Sequence, residues 1–96
     1  MEKILQHQKA LEDNLEGTAL KVGLILSDRI DKRGKDRKFK DTESMMRWLW
    51  RQGQSEGVKQ SVMYSTTADL VSRGFFTVDY KGESLSLSRA LPGVEA

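Results

Sequence analysis

The chain contains no cysteine, a single proline and a single histidine. Without cysteine there can be no disulfide scaffold and no thiolate-bound metal. No apolar stretch approaches the ~18–20 residues of a membrane-spanning helix, and Met1-Glu2-Lys3 leads into no signal-peptide core. The expectation is a cytoplasmic chain with no membrane association. Gly53, Gly57 and Gly74 are too scattered for a phosphate-cradling loop, and no Gly-Lys-Ser/Thr follows a strand. His7 has no orienting carboxylate or nucleophile placed beside it by the sequence and reads as a surface histidine. Asp31, Asp36 and Asp41 stand among lysines at no calcium-loop spacing. The sequence therefore predicts no catalytic residue, no metal and no cofactor: it does not read as an enzyme.

What is present is charge, unevenly placed. Ninety-six residues, 38% hydrophobic and 31% charged, suit one small α+β domain, whose folding removes roughly 60–70% of the extended chain's surface from water. The overall +2 conceals an asymmetry, because residues 29–51 carry nine basic and four acidic groups, net +5, between two negative flanks. An anionic partner is drawn to that quarter. Arg29, Lys32, Arg33, Lys35, Arg37, Lys38 and Lys40 supply most of it. Residues 31–41 read as a solvated basic loop around Gly34, with Phe39 as a stacking platform between two lysines.

Residues 1–16 read as an N-terminal helix whose narrow stripe, Ile4, Leu11 and Leu15, suits docking along an edge of the domain or onto a second copy; Gly17 stops it. Residues 18–30 both alternate like a strand (20, 22, 24, 26) and step like a helix (19, 22, 26, 30). The helix is preferred, with Thr18 as its cap. Asp41 or Thr42 opens the next helix, which runs to about Gln52 and ends at Gly53. Trp48 and Trp50 point about 200° apart on it, so one belongs to the core and the other, with Met46, to an exposed or interface face. Val58, Val62 and Met63 form the next stripe. Tyr64-Ser65-Thr66-Thr67 reads as a turn opening a short helix that closes at Gly74; one continuous helix over 56–73 is the alternative.

Phe75–Ser88 carries the clearest signal. Phe76, Val78, Tyr80, Leu85 and Leu87 alternate with polar residues around a glycine turn, so they share one face of a hairpin. The loop is Lys81-Gly82, which pairs Val78 with Leu85, or Gly82-Glu83, which pairs Val78 with Leu87 and Tyr80 with Leu85. Pro92-Gly93 starts a short tail within residues 90–96.

Thr66–Gly74 running into Phe75–Ser88 gives a leucine, glycine, strand, turn, strand cadence. With the helices before it, residues 42–89 resemble a winged helix-turn-helix domain. The resemblance implies that the helix before the hairpin enters the major groove of duplex DNA. Lys59, Thr66, Thr67 and Arg73 would then be its contacts and Lys81 the wing-tip contact. It implies a small transcriptional or replication/partition-type regulator acting as a homodimer through Ile4, Leu11 and Leu15, with Met46 and Trp50 as further interface residues. Two alternatives stay open: an adaptor whose Met/Trp helix docks a protein, and a single-stranded nucleic-acid or RNA binder using Phe39 and Trp50.

Overall fold

The computed structural model describes residues 2–30 and 36–92, with side chains from Leu5 onward. Four helices lead into or alternate with three strands: α1 (Glu2–Asn14), α2 (Gly17–Arg29), β1 (Arg37–Phe39), α3 (Thr42–Gln54), α4 (Gln60–Ser72), β2 (Phe76–Lys81) and β3 (Ser84–Arg89). The strands form one antiparallel sheet in the order β1-β3-β2. The coarse α+β class with four helices and a C-terminal hairpin is as expected.

Residues 18–29 are helical because Val22, Ile25 and Leu26, with Ile30 as the C-cap, then fall on one buried face. Thr18 does not cap α2; the N-cap is Glu16, which makes no side-chain capping bond. Gly23 lets α1 lie close, since a Cβ there would stand 3.2 Å from Leu11 Cδ2. Leu11 and Leu15 are consequently buried in the chain's own core. That corrects the expectation that they face a second copy: the narrow α1 stripe is covered by α2. The side chain of Ile4 lies outside the described residues.

Asp41 caps α3 by accepting a 2.8 Å bond from the Ser44 amide, and that bond holds its carboxyl below the usual range. Gly53 does not stop this helix. It sits inside α3 where α4 crosses, and an added Cβ would be 2.9 Å from Met63 Cγ. The predicted turn at Tyr64–Thr67 is also overturned, because α4 runs unbroken through it. Thr67 is buried at helical spacing between Met63 and Leu70. Its hydroxyl donates to the Met63 carbonyl one turn back, at 2.7 Å, so a threonine that looks like a turn former is accommodated inside the helix.

Gly74, at φ 89°, turns the chain from α4 into β2. The hairpin loop is Gly82-Glu83, since Lys81 pairs with Ser84, Tyr80 with Leu85 and Val78 with Leu87. Gly82 supplies the positive φ of 65°. Phe76, Leu85 and Leu87 are buried on the helix-facing side, whereas Tyr80 stands exposed near the tip. The third strand corrects the loop reading of residues 31–41 in part. Residues 37–39 pair with β3, Phe39 opposite Leu85 and Arg37 opposite Leu87, and residues 31–35 lie outside the described residues.

His7 is a further correction. It is 2% exposed, and its ring is wedged edge-on against Phe76, with centroids 4.9 Å apart. Nε2 is 2.7 Å from the Phe75 carbonyl and Nδ1 2.7 Å from Ser27 Oγ. A carbonyl only accepts, so Nε2 carries the proton and donates, while the serine hydroxyl donates to Nδ1. Burial first, with a smaller contribution from the Arg89 charge, pushes its pKa below 6.5; the bond to Phe75 opposes that shift. The neutral imidazole thus ties α1 to α2 and to the residue that opens β2.

Candidate nucleic-acid interface

The cations predicted to meet an anionic partner fall into four sets. Lys32, Arg33 and Lys35 lie outside the described residues. Arg29 is engaged within the fold: one guanidinium nitrogen donates to the Gln52 carbonyl, Gln52 Oε1 and Ser55 Oγ, and the other meets Glu56 Oε2 at 2.8 Å. It binds the end of α2 to the end of α3, and Glu56 partly offsets its charge.

The third set belongs to α4 and the hairpin. Lys59 precedes α4 as its N-cap residue and is exposed. Thr66 is half-buried, and Thr67 is buried, so Thr67 cannot reach a ligand. Arg73 pairs with Asp69 at 3.0 Å on the exposed surface, an arrangement that adds little stability and partly cancels the charge. Lys81 is exposed beside the hairpin turn. It borders a shallow depression of about 260 Å³ on the outer sheet face, where Lys38 and Lys81 stand with Asp36 and Asp79. Opposite charges balance there.

The fourth set forms a groove of about 300 Å³ between α3 and β1. Arg37 and Lys40 come from the basic stretch, and Arg47 and Arg51 from α3, where spacings of three, four and seven from Ser44 place Arg47, Trp48 and Arg51 on one stripe. No acidic residue lines it among the described residues. Arg47 is 3.6 Å from Glu43 on the solvent side, whereas Arg37, Lys40 and Arg51 have no ion-pair partner among the described residues. The guanidinium carbon of Arg37 is 5.0 Å from the Trp48 ring centre and 5.6 Å from that of Phe39. The two rings are themselves 5.6 Å apart and tilted.

This geometry reassigns the aromatics. Phe39 is buried beneath Arg37 rather than offered as a stacking platform, because pairing with Leu85 turns it toward the helices. Trp48 packs half-buried against the core. Trp50 points away, 40% exposed, with Met46 one turn back and partly buried. Sequence reasoning passed over Arg47, Trp48 and Arg51 as ligand contacts. Their signal was the four-residue repeat of arginine on a helix with an acidic first turn.

No group of three or more acidic or histidine side chains that could hold a metal occurs among the described residues, and no described helix is long and apolar enough to cross a membrane. Searches of family models, curated proteins and solved structures each found no match to this chain.

Proposed function

We propose that this chain is a winged-helix-type protein that binds duplex DNA, with α4 as the groove-facing helix and the β2–β3 hairpin as the wing. The observation that carries the reading is the order of elements. A helix, a short strand and two helices precede a hairpin whose second strand lies between the other two. The chain passes from α4 to β2 through Gly74, and the two elements pack together. Exposed Lys59 and Lys81 then supply phosphate contacts at the entry to the helix and at the wing. The chemistry is hydrogen bonding and counterion release, with no turnover.

The test is duplex binding by the double variant Lys59→Glu, Lys81→Glu. Reversing two exposed cations should abolish binding that the parent protein shows at roughly 50 mM salt. Unchanged affinity would rule out α4 and the wing as the docking elements.

Trp50 favours a second reading. An exposed indole beside Met46 has the composition of a protein interface centre, for an adaptor partner or a second copy. Trp50→Ala should then break a complex while leaving the fold intact. The same sedimentation profile for both proteins, alone and with a candidate partner, would exclude that reading.

A further inference from the structure

We infer that the groove between α3 and β1 is a phosphodiester-binding site, a second grip on the duplex backbone outside α4 and the wing. The inference rests on the DNA-binding reading above. Three features single this groove out from the rest of the surface. Its cations face no lining carboxylate, unlike Lys38 and Lys81 on the outer sheet face, which share their depression with Asp36 and Asp79. Three of its four cations come from regular elements, Arg37 from β1 and Arg47 and Arg51 from successive turns of α3, with Lys40 directly after β1. And Arg37 is held in place by the rings under it.

That third feature matters most. A guanidinium drawn over aromatic rings by cation–π attraction needs none of its five N–H donors for that contact. The Arg37 guanidinium makes no hydrogen bond or ion pair with other described residues, so its side-chain donors are unclaimed. Ordering a free arginine side chain costs entropy on binding, and the contact with the Trp48 and Phe39 rings removes part of that cost beforehand. A planar fork fixed in this way matches the paired oxygens of a phosphate. Ser44 adds a hydroxyl donor in the first turn of α3. A tetrahedral anion repeated along a strand, with one charge per phosphate, fits a groove whose cations are spread along a helix. An acidic peptide is the competing occupant and is separated by the test.

The test uses the full chain and a labelled mixed-sequence duplex. Arg37→Gln with Arg51→Gln removes two groove charges at exposed positions, and a far-UV spectrum checks that the fold is kept. The slope of log affinity against log salt should fall by about 2, with roughly tenfold weaker binding at intermediate salt. Arg37→Lys should keep the slope and still lose affinity, because lysine retains the charge without the planar fork. In a Trp50→Phe background the remaining indole is Trp48, and its emission should change as duplex is added. An unchanged slope and affinity in the double glutamine variant, with Lys59→Glu, Lys81→Glu still defective, would overturn the groove and leave DNA binding standing. Equal affinity for poly-glutamate would overturn the phosphate assignment. Failure of the parent protein to bind duplex at roughly 50 mM salt would overturn both.

Discussion

Arg29 and Arg37 open and nearly close the same basic stretch, yet the fold uses them in opposite ways. Arg29 stands where α2 meets the end of α3 and satisfies its donors on Gln52, Ser55 and Glu56. Arg37 stands at a sheet edge, holds its guanidinium over the Trp48 and Phe39 rings, and makes no ion pair among the described residues. Sequence charge alone treats the two as equals. Geometry separates a cation that stiffens the molecule from one left open to a ligand. The same contrast divides the molecule as a whole. On the α1 side the lone histidine is sealed inside with both ring nitrogens bonded; on the α3–β1 side the polar groups face outward.

The contrast is broken most severely by attacking the sealed side. His7→Ala would leave a cavity, remove the acceptor of the Ser27 hydroxyl and take one of the two donors from the Phe75 carbonyl, which keeps the Ala90 amide. The expected loss is about 3 kcal/mol in urea unfolding, with duplex affinity unchanged in protein that remains folded. A loss near zero would mean that the histidine is not the joint described. Gly53→Ala comes next, at about 2 kcal/mol, because the new Cβ meets Met63 where that fully buried side chain cannot swing aside.

Acid acts on the same joint. The folded state holds His7 neutral, with its pKa below the ordinary 6.5, so the unfolded chain takes up a proton that the folded chain refuses. Stability is therefore full above about pH 6.5 and declines toward pH 5, a window where carboxylates barely titrate. Urea midpoints measured across that window should fall with pH; a flat series contradicts the buried neutral ring. Arg29→Gln should cost about 1 kcal/mol or less, since the Glu56 pair is half-exposed and screened. Arg37→Gln should change stability least, by about 0.5 kcal/mol or less, and should show its effect in binding instead.

How much of this was legible in the sequence depended on the range of the interactions. The hairpin register parity was readable because alternation over fourteen residues admits no one-residue slip, and α2 was readable because its apolar steps of three and four outweigh their alternation. Strand β1 was hidden: three residues with one apolar side chain carry no period, and they become a strand only by pairing with β3. The role of His7 was hidden for a similar reason, since its partners lie 20 and 68 residues away. The break placed at Tyr64–Thr67 followed the local preference of serine and threonine for turns, which burial of Thr67 against Met63 and Leu70 overrode. For the site, the net charge of residues 29–51 marked the segment that supplies the four cations lining the proposed groove. It could not say that Arg29 is answered internally, or that Arg47 and Arg51 rather than Arg29 stand with Arg37.

The central claim is that this fold holds duplex DNA through exposed, unpaired cations, and one measurement addresses it directly. Fluorescence anisotropy of a labelled mixed-sequence duplex at roughly 50 and 200 mM salt, with a single strand and an anionic polymer as competitors, reads both affinity and its electrostatic share. The account predicts a steep loss of affinity between the two salt concentrations and a preference for duplex over both competitors. No binding at the lower salt, or equal binding to the polymer, would contradict it.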